Sequence, residues 1–142
     1  WDEQLTLIDD FEFFARVLCH SSQVLFSPES TLFYRSGLSG SLSGQKTRQS
    51  WESACRSLLS GTSHLLALQD DVKARRSCAN VLQNFIYAVY PNYPDLRLQI
   101  ESRISELGGS DLDIPAGPRF RIVAQFCGWK CAKTIQHILG RS

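Results

Sequence analysis

The sequence predicts a mainly helical chain with two short β-strands near its N-terminus. Apolar residues recur at helical spacing in five segments, and proline or glycine marks several of their ends. The strands are predicted from runs of β-branched, aliphatic and aromatic residues at 23–26 and 30–35, on either side of Pro28. The chain has 142 residues, 43% of them hydrophobic, which is enough for one domain with a core.

The N-terminal elements follow one another closely. A first helix is predicted from Asp10 to about His20, because its apolar residues follow the helical period. The two strands come next, and we expect them either to pair with each other or to join a sheet whose other strands lie outside this chain. Residues 36–46 are then a loop rich in serine and glycine.

Four further helices are predicted, at about 47–68, 71–90, 94–107 and 119–139. Gly61 is expected to kink or break the first of them. Pro91 ends the second, because proline cannot continue the hydrogen-bond ladder. Pro94 suits the first position of the third helix, and Gly108 and Gly109 stop it.

The charge is small in total and uneven along the chain. The net charge of +1 argues against a nucleic-acid-binding protein, so we expect no nucleic-acid partner. Residues 1–30 hold six acidic residues and one arginine, whereas the chain from Ile114 onward holds five Arg or Lys and no acid.

The cysteines and the apolar runs point to the cytoplasm. The five cysteines show neither CxxC nor zinc-site spacing, and we expect them to be reduced and mostly buried (Cys19, Cys55, Cys78, Cys127 and Cys131). No apolar run reaches the ~18 residues of a membrane span. The chain lacks Met and begins at Trp1 within a pattern, so we expect it to be part of a longer protein.

An acidic pair, Asp9-Asp10, lies where a loop meets the first helix. By itself such a pair is expected to be an ordinary helix cap, since exposed N–H groups at a helix start favour negative charge. Its surroundings favour a functional site. The stretch Trp1-Asp2-Glu3 precedes it, and Tyr34-Arg35 with the Ser/Gly loop follows it.

The Ser/Gly loop has two interpretations. Flanked by Arg35 and Lys46, it could wrap a diphosphate through backbone N–H groups and hydroxyls. Its composition alone favours a flexible linker.

The order of these motifs resembles the C-terminal part of bacterial family 2 glycosyltransferases, which are inverting enzymes with a GT-A α/β fold. The motifs are, in order, residues 1–3, 7–16, 24–26, 32–35 and 39–43. The resemblance covers residues 1–46, and the helical residues 47–142 are similar to the variable C-terminal extensions of that family. It therefore implies a catalytic-domain piece at 1–46 and a helical extension at 47–142.

The resemblance assigns roles to individual residues. Asp10 corresponds to the general base, and Asp9 is the alternative base or an orienting partner. The acceptor pocket is implied to be bordered by Trp1, Asp2 and Glu3. The donor diphosphate is implied to bind at Arg35, Ser39, Ser41, Ser43 and Lys46.

The implied substrates are a nucleotide-sugar and a glycan or lipid-linked acceptor, with Mg²⁺ or Mn²⁺ in the full-length enzyme. We expect this chain alone to bind no metal and to show little or no activity, because it lacks the family's nucleotide-binding half. Asp111-x-Asp113 matches the metal motif but lies in a late connector. The motif of processive members is absent, which implies transfer of a single sugar.

An alternative function is a helical interaction or membrane-docking module. The last helix is basic and amphipathic and contains Trp129, so residues 117–142 are the candidate for peripheral membrane contact. It could equally pack on the other helices with its lysines solvated. The expected location is the cytoplasm, at the inner face of the membrane if this helix docks there.

Overall fold

The computed structural model describes residues 1–33 and 46–140, with only the backbone of Arg119. Within these ranges the chain forms helices joined by turns and loops, and it contains no β-strand. The helices are α1 (Asp9–His20), α2 (Arg48–Leu68), α3 (Val72–Val89), α4 (Pro94–Glu106) and α5 (Pro118–Leu139). They belong to two compact units, Trp1–Asp70 and Asp71–Ser142.

The prediction of a GT-A α/β fold with two N-terminal strands is wrong for this chain. Residues 23–33 lie outside any strand, and their backbone is held at a turn, where Ser30 N donates to Ser27 O at 3.3 Å. Phe26 and Phe33 are 89% and 90% exposed. High β-propensity reflects how a side chain fits a half-buried pleated surface, and the described residues provide no sheet to create one. Residues 34 and 35 of the second predicted strand lie outside the described ranges.

The first unit is built on the packing of α1 against α2. Leu5, Ala54, Cys55 and Leu58 are buried in it. Helix α2 continues through Gly61, so the predicted break does not occur. Gly61 instead permits a close approach of the helices, because a Cβ atom built there would lie 2.6 Å from Phe11 Cε1.

The second unit buries one face of α3 against α4. The buried side chains of these helices include Cys78, Ala79, Leu82, Phe85, Ile86, Val89, Leu96, Ile100 and Ile104. The ends of α3 and α4 match the sequence prediction closely. Asp71 caps α3 by accepting from Ala74 N at 2.7 Å, and Pro94 begins α4. After α4 the chain reverses through Gly108 and Gly109, whose φ angles of 94° and 88° favour glycine.

The connector before α5 is bonded to α3. Asp111 Oδ2 accepts from Arg76 Nη1 at 2.6 Å, and Asp111 Oδ1 accepts from Asn80 Nδ2 at 2.8 Å. Tyr87 Oη donates to Leu112 O at 2.7 Å. Asp111 therefore has a structural role, in holding the connector on α3.

Helix α5 is bent at Gly128, whose φ of 78° and ψ of 156° are not helical. Beyond the bend, Trp129 packs edge-on against Tyr87 and Tyr90 of the same unit, with ring centroids 5.0 and 5.2 Å apart. No helix in the described part of the chain is both long enough and apolar enough to cross a membrane.

The cysteines are only partly as predicted. All five are free thiols, and Cys55 and Cys78 are buried. Cys19 is half-buried, but Cys127 and Cys131 are exposed on α5. The prediction of burial is wrong for these last two, because their part of α5 is not covered on all sides.

Candidate functional site

The N-terminal turn that leads to the acidic pair is anchored on α2. Ser53 Oγ accepts from Thr6 N at 2.7 Å and from Leu7 N at 3.3 Å. One helical turn further along α2, Ser57 Oγ donates to Ile8 O. Both serines are fully buried, so these bonds are shielded from water. They fix the backbone immediately before Asp9.

Asp9 and Asp10 are the first two residues of α1. The N-cap is Ile8, which has a left-handed backbone (φ 59°) and provides no side-chain cap. The acidic pair was expected to be an ordinary N-cap. This expectation is wrong, because both residues lie inside the helix, after the N-cap. Asp10 Oδ1 accepts from Phe11 N at 2.9 Å, an amide that also donates to Ile8 O at 3.2 Å. Its carboxylate is exposed, so its other oxygen can face a substrate.

Of the proposed acceptor residues, Trp1 contacts the first helix. The Trp1 ring lies 4.8 Å from the Phe13 ring, one helical turn beyond Asp9, and Trp1 remains 62% exposed. Asp2 is engaged locally, since its Oδ1 accepts from Gln4 N at 2.9 Å. Glu3 is exposed. The structure thus places the Trp1 ring on α1 at Phe13, and leaves Trp1 and Asp10 exposed and Asp9 half-buried.

Of the proposed donor residues, only Lys46 lies within the described ranges. Arg35, Ser39, Ser41 and Ser43 lie outside the described residues. Lys46 is described and exposed, immediately before Thr47, the N-cap of α2.

A buried carboxylate that the sequence analysis missed lies between α1 and α2. Glu12 is 6% exposed, and its Oε1 atom lies 3.1 Å from both Arg16 Nε and His64 Nε2. Glu12 Oε2 is buried and has no hydrogen-bond partner among the described residues. The four-residue spacing of Glu12 and Arg16 is visible in the sequence. The contact with His64 is not, because it spans 52 residues.

This cluster predicts acid sensitivity of the first unit. The hydrogen bond from Arg16, and a weaker one from His64, hold the pKa of Glu12 below its ordinary value of 4.5, although burial opposes them. A lowered folded-state pKa stabilises the fold above the unfolded value, and this stability is lost as the pH falls through the folded pKa. Glu12→Gln should cost about 1–2 kcal/mol at neutral pH.

Urea unfolding of wild type and Glu12→Gln, at neutral pH and at several values below 4.5, measures this difference. The gap in unfolding free energy should narrow as the pH falls. Glu52→Gln is the matched control, because Glu52 pairs with Arg48 at the same four-residue spacing but on the exposed surface. If the difference in unfolding free energy between wild type and Glu12→Gln did not change with pH, ionised Glu12 would not be the source of the stability.

A second candidate surface lies on α5. Its exposed apolar side chains are Ile122, Val123, Phe126, Ile135, Ile138 and Leu139. Arg121 and Lys130 are exposed on the same helix, which contains no acidic residue. Apolar side chains bordered by cations are typical of helices that lie on anionic membrane surfaces. We define Ile122, Val123, Phe126, Arg121 and Lys130 as the α5 surface.

No three His, Cys, Asp or Glu side chains converge into a metal-binding group within residues 1–33 and 46–140. In comparisons with known proteins, no family model, no curated protein and no solved structure matches this chain.

Proposed function

We propose that this chain supplies the general base and the acceptor side of an inverting, sugar-nucleotide-dependent glycosyltransferase. The observation that carries the proposal is the exposed Asp10 carboxylate at the start of α1, on a backbone anchored by Ser53 and Ser57. The order of motifs in residues 1–46 adds the reaction class. The GT-A sheet is no part of the proposal, because chemistry depends on the site rather than on the fold around it.

The proposed step is a single displacement. Asp10 takes the proton of an acceptor hydroxyl as that oxygen attacks the anomeric carbon of the donor sugar. The bond from that carbon to the nucleoside diphosphate breaks, the diphosphate leaves with the electron pair, and the configuration inverts. A carboxylate is required because a neutral hydroxyl is a poor nucleophile until it loses its proton.

Other residues are proposed to bind the substrates. The open face of Trp1 suits the C–H surface of an acceptor sugar, whereas Asp2 and Glu3 suit its hydroxyls. Arg35 and Lys46 are proposed to neutralise the departing diphosphate, and the hydroxyls of Ser39, Ser41 and Ser43 to donate to it; Mg²⁺ or Mn²⁺ would supply further positive charge there. The acceptor is a glycan or lipid-linked sugar.

Sugar transfer by the longest natural polypeptide that contains these 142 residues tests the proposal. A panel of labelled nucleotide-sugars is offered with glycan and lipid-linked acceptors, and NMR of the product reports the anomeric configuration. We expect transfer with inversion. Retention of configuration, or transfer that does not depend on residues 1–46, would overturn the proposal. The 142-residue chain alone is expected to turn over little or no donor.

A second candidate function is docking on an anionic membrane surface, and the α5 surface favours it. Phe126 is 88% exposed, and Ile122 lies one helical turn before it. Inserting Phe126 into the boundary of the acyl chains would contribute about 1.5–3 kcal/mol. Arg121 would add about 1 kcal/mol on a bilayer of anionic lipids, whereas Lys130 is already paired with Glu101. This function is compatible with glycosyl transfer to a lipid-linked acceptor.

We predict that the chain co-sediments with phosphatidylglycerol vesicles more than with phosphatidylcholine vesicles, and less at high salt. Phe126→Ser should weaken binding by about tenfold, since it removes the inserted ring. Leu98→Ser is the matched control, because Leu98 is 66% exposed on α4 and is not part of the α5 surface. If the Phe126→Ser and Leu98→Ser variants bound the vesicles equally, the α5 surface would not be the membrane-binding site.

A further inference from the structure

Two exposed thiols lie on either side of the bend in α5. Cys127 precedes Gly128 and Cys131 follows it by one turn. Both are exposed, in contrast to the buried Cys55 and Cys78. The exposed pair is therefore the more accessible to a reagent in solvent.

Cys127 is hydrogen-bonded to the backbone around the bend. Cys127 Sγ lies 3.3 Å from Val123 O, to which it can donate. A hydrogen bond between the Cys127 and Cys131 side chains is the largest cause that raises the pKa of Cys127 above its ordinary value, followed by burial. The two cysteines are only four residues apart, so bonding them requires movement only of the short segment around Gly128.

The bend separates two differently packed halves of α5. After Gly128, Ala132 is buried and Lys130 Nζ pairs with Glu101 Oε1 of α4 at 3.2 Å. Before Gly128, Ile122 and Phe126 are exposed. A covalent link between the cysteines would thus join the packed half to the exposed half across a residue whose backbone is not helical.

We propose that Cys127 and Cys131 form a reversible disulfide on exposure to hydrogen peroxide. The thiolate of one cysteine attacks a peroxide oxygen, the O–O bond breaks, and a sulfenic acid forms while the other oxygen leaves as water. The second thiol attacks the sulfenic sulfur, the S–O bond breaks, and a second water leaves. The peroxide is reduced as the two thiols are oxidised.

The disulfide would restrain the backbone at Gly128 and hold the exposed half of α5 in one orientation relative to the packed half. Because the thiolate is the nucleophile and the pKa of Cys127 is raised above its ordinary value, oxidation is expected to be faster at alkaline pH. The inference does not depend on either proposed function.

The experiment exposes the full chain to limiting hydrogen peroxide at neutral and alkaline pH, followed by intact-mass measurement and non-reducing peptide mapping. The expected product has lost two hydrogens, links the peptides of Cys127 and Cys131, and reverts with dithiothreitol. Cys131→Ser should abolish the link, whereas Cys19→Ser should retain it. Both sites are exposed or half-buried, so these isosteric variants are expected to fold.

A second measurement follows the bend itself. Amide hydrogen exchange of residues 118–128 is expected to slow in the oxidised form and to recover after reduction. Oxidation of the pair to sulfinic acids without a link, or links between different molecules only, would overturn the proposal. An unchanged exchange rate in the linked form would overturn the restraint at Gly128.

Discussion

Asp10→Asn is expected to lower kcat for sugar transfer by about 10²–10⁴-fold in the longest natural polypeptide that contains this chain. The amide cannot accept the proton of the acceptor hydroxyl. It keeps an oxygen that can accept from Phe11 N, so the start of α1 should be preserved. The KM for the nucleotide-sugar should change little, because the donor residues are proposed to lie elsewhere.

The Asp9→Asn variant distinguishes the role of Asp9 from that of Asp10. If Asp10 is the base, Asp9→Asn should lower kcat much less and should retain the acidic limb of the pH–rate profile, which reports the ionisation of the base. The acidic limb should disappear in Asp10→Asn. The opposite pattern would identify Asp9 as the base. Near-normal turnover in both variants would mean that neither Asp9 nor Asp10 is the general base.

Gly61→Leu is expected to destabilise the first unit by about 3 kcal/mol, because new atoms would enter a packed contact. The first of them, Cβ, would lie 2.6 and 2.8 Å from atoms of the Phe11 ring and 3.5 Å from Ala15 Cβ. Either the ring or α1 as a whole must move. Displacement of α1 would also separate Glu12 from His64.

Urea unfolding monitored by far-UV circular dichroism measures this loss. Ser60→Leu is the matched control, since Ser60 is the preceding residue of α2 but is exposed, and leucine is a good helix former at both positions. Gly61→Ala should be closer to neutral, because improved helix propensity of about 1 kcal/mol offsets part of the crowding. Equal stability of the Gly61→Leu and Ser60→Leu variants would mean that the helices do not pack at Gly61.

Helix positions were predictable from the sequence because their signals are local. The helical period located all five helices, and Asp71, Pro94 and Gly108-Gly109 marked ends that the structure confirms. Each of these residues acts through its own backbone angles or the nearest amides, so no distant contact is needed to read it.

The strands and the site depended on contacts that are not local. The apolar run at residues 23–26 carries strand propensity, but a strand also needs a partner, and propensity cannot say whether one exists. The Glu12–His64 contact and the Ser53 and Ser57 anchors join residues 46–52 positions apart. Gly61 was predicted to kink or break α2. In the structure its missing side chain instead leaves room for Phe11 of α1. The roles of Asp10 and of the acceptor residues stay predictions.

The serine anchors also bear on how fast the first unit folds. Its backbone around residues 6–8 is held by side chains 46–49 positions away, so these bonds form only after a long stretch of chain has closed. In the second unit, α3 and α4 are joined by a short turn and meet through contacts close in sequence. Topology of that kind folds faster. We therefore expect α3 and α4 to form first during refolding, with the acidic pair ordered late.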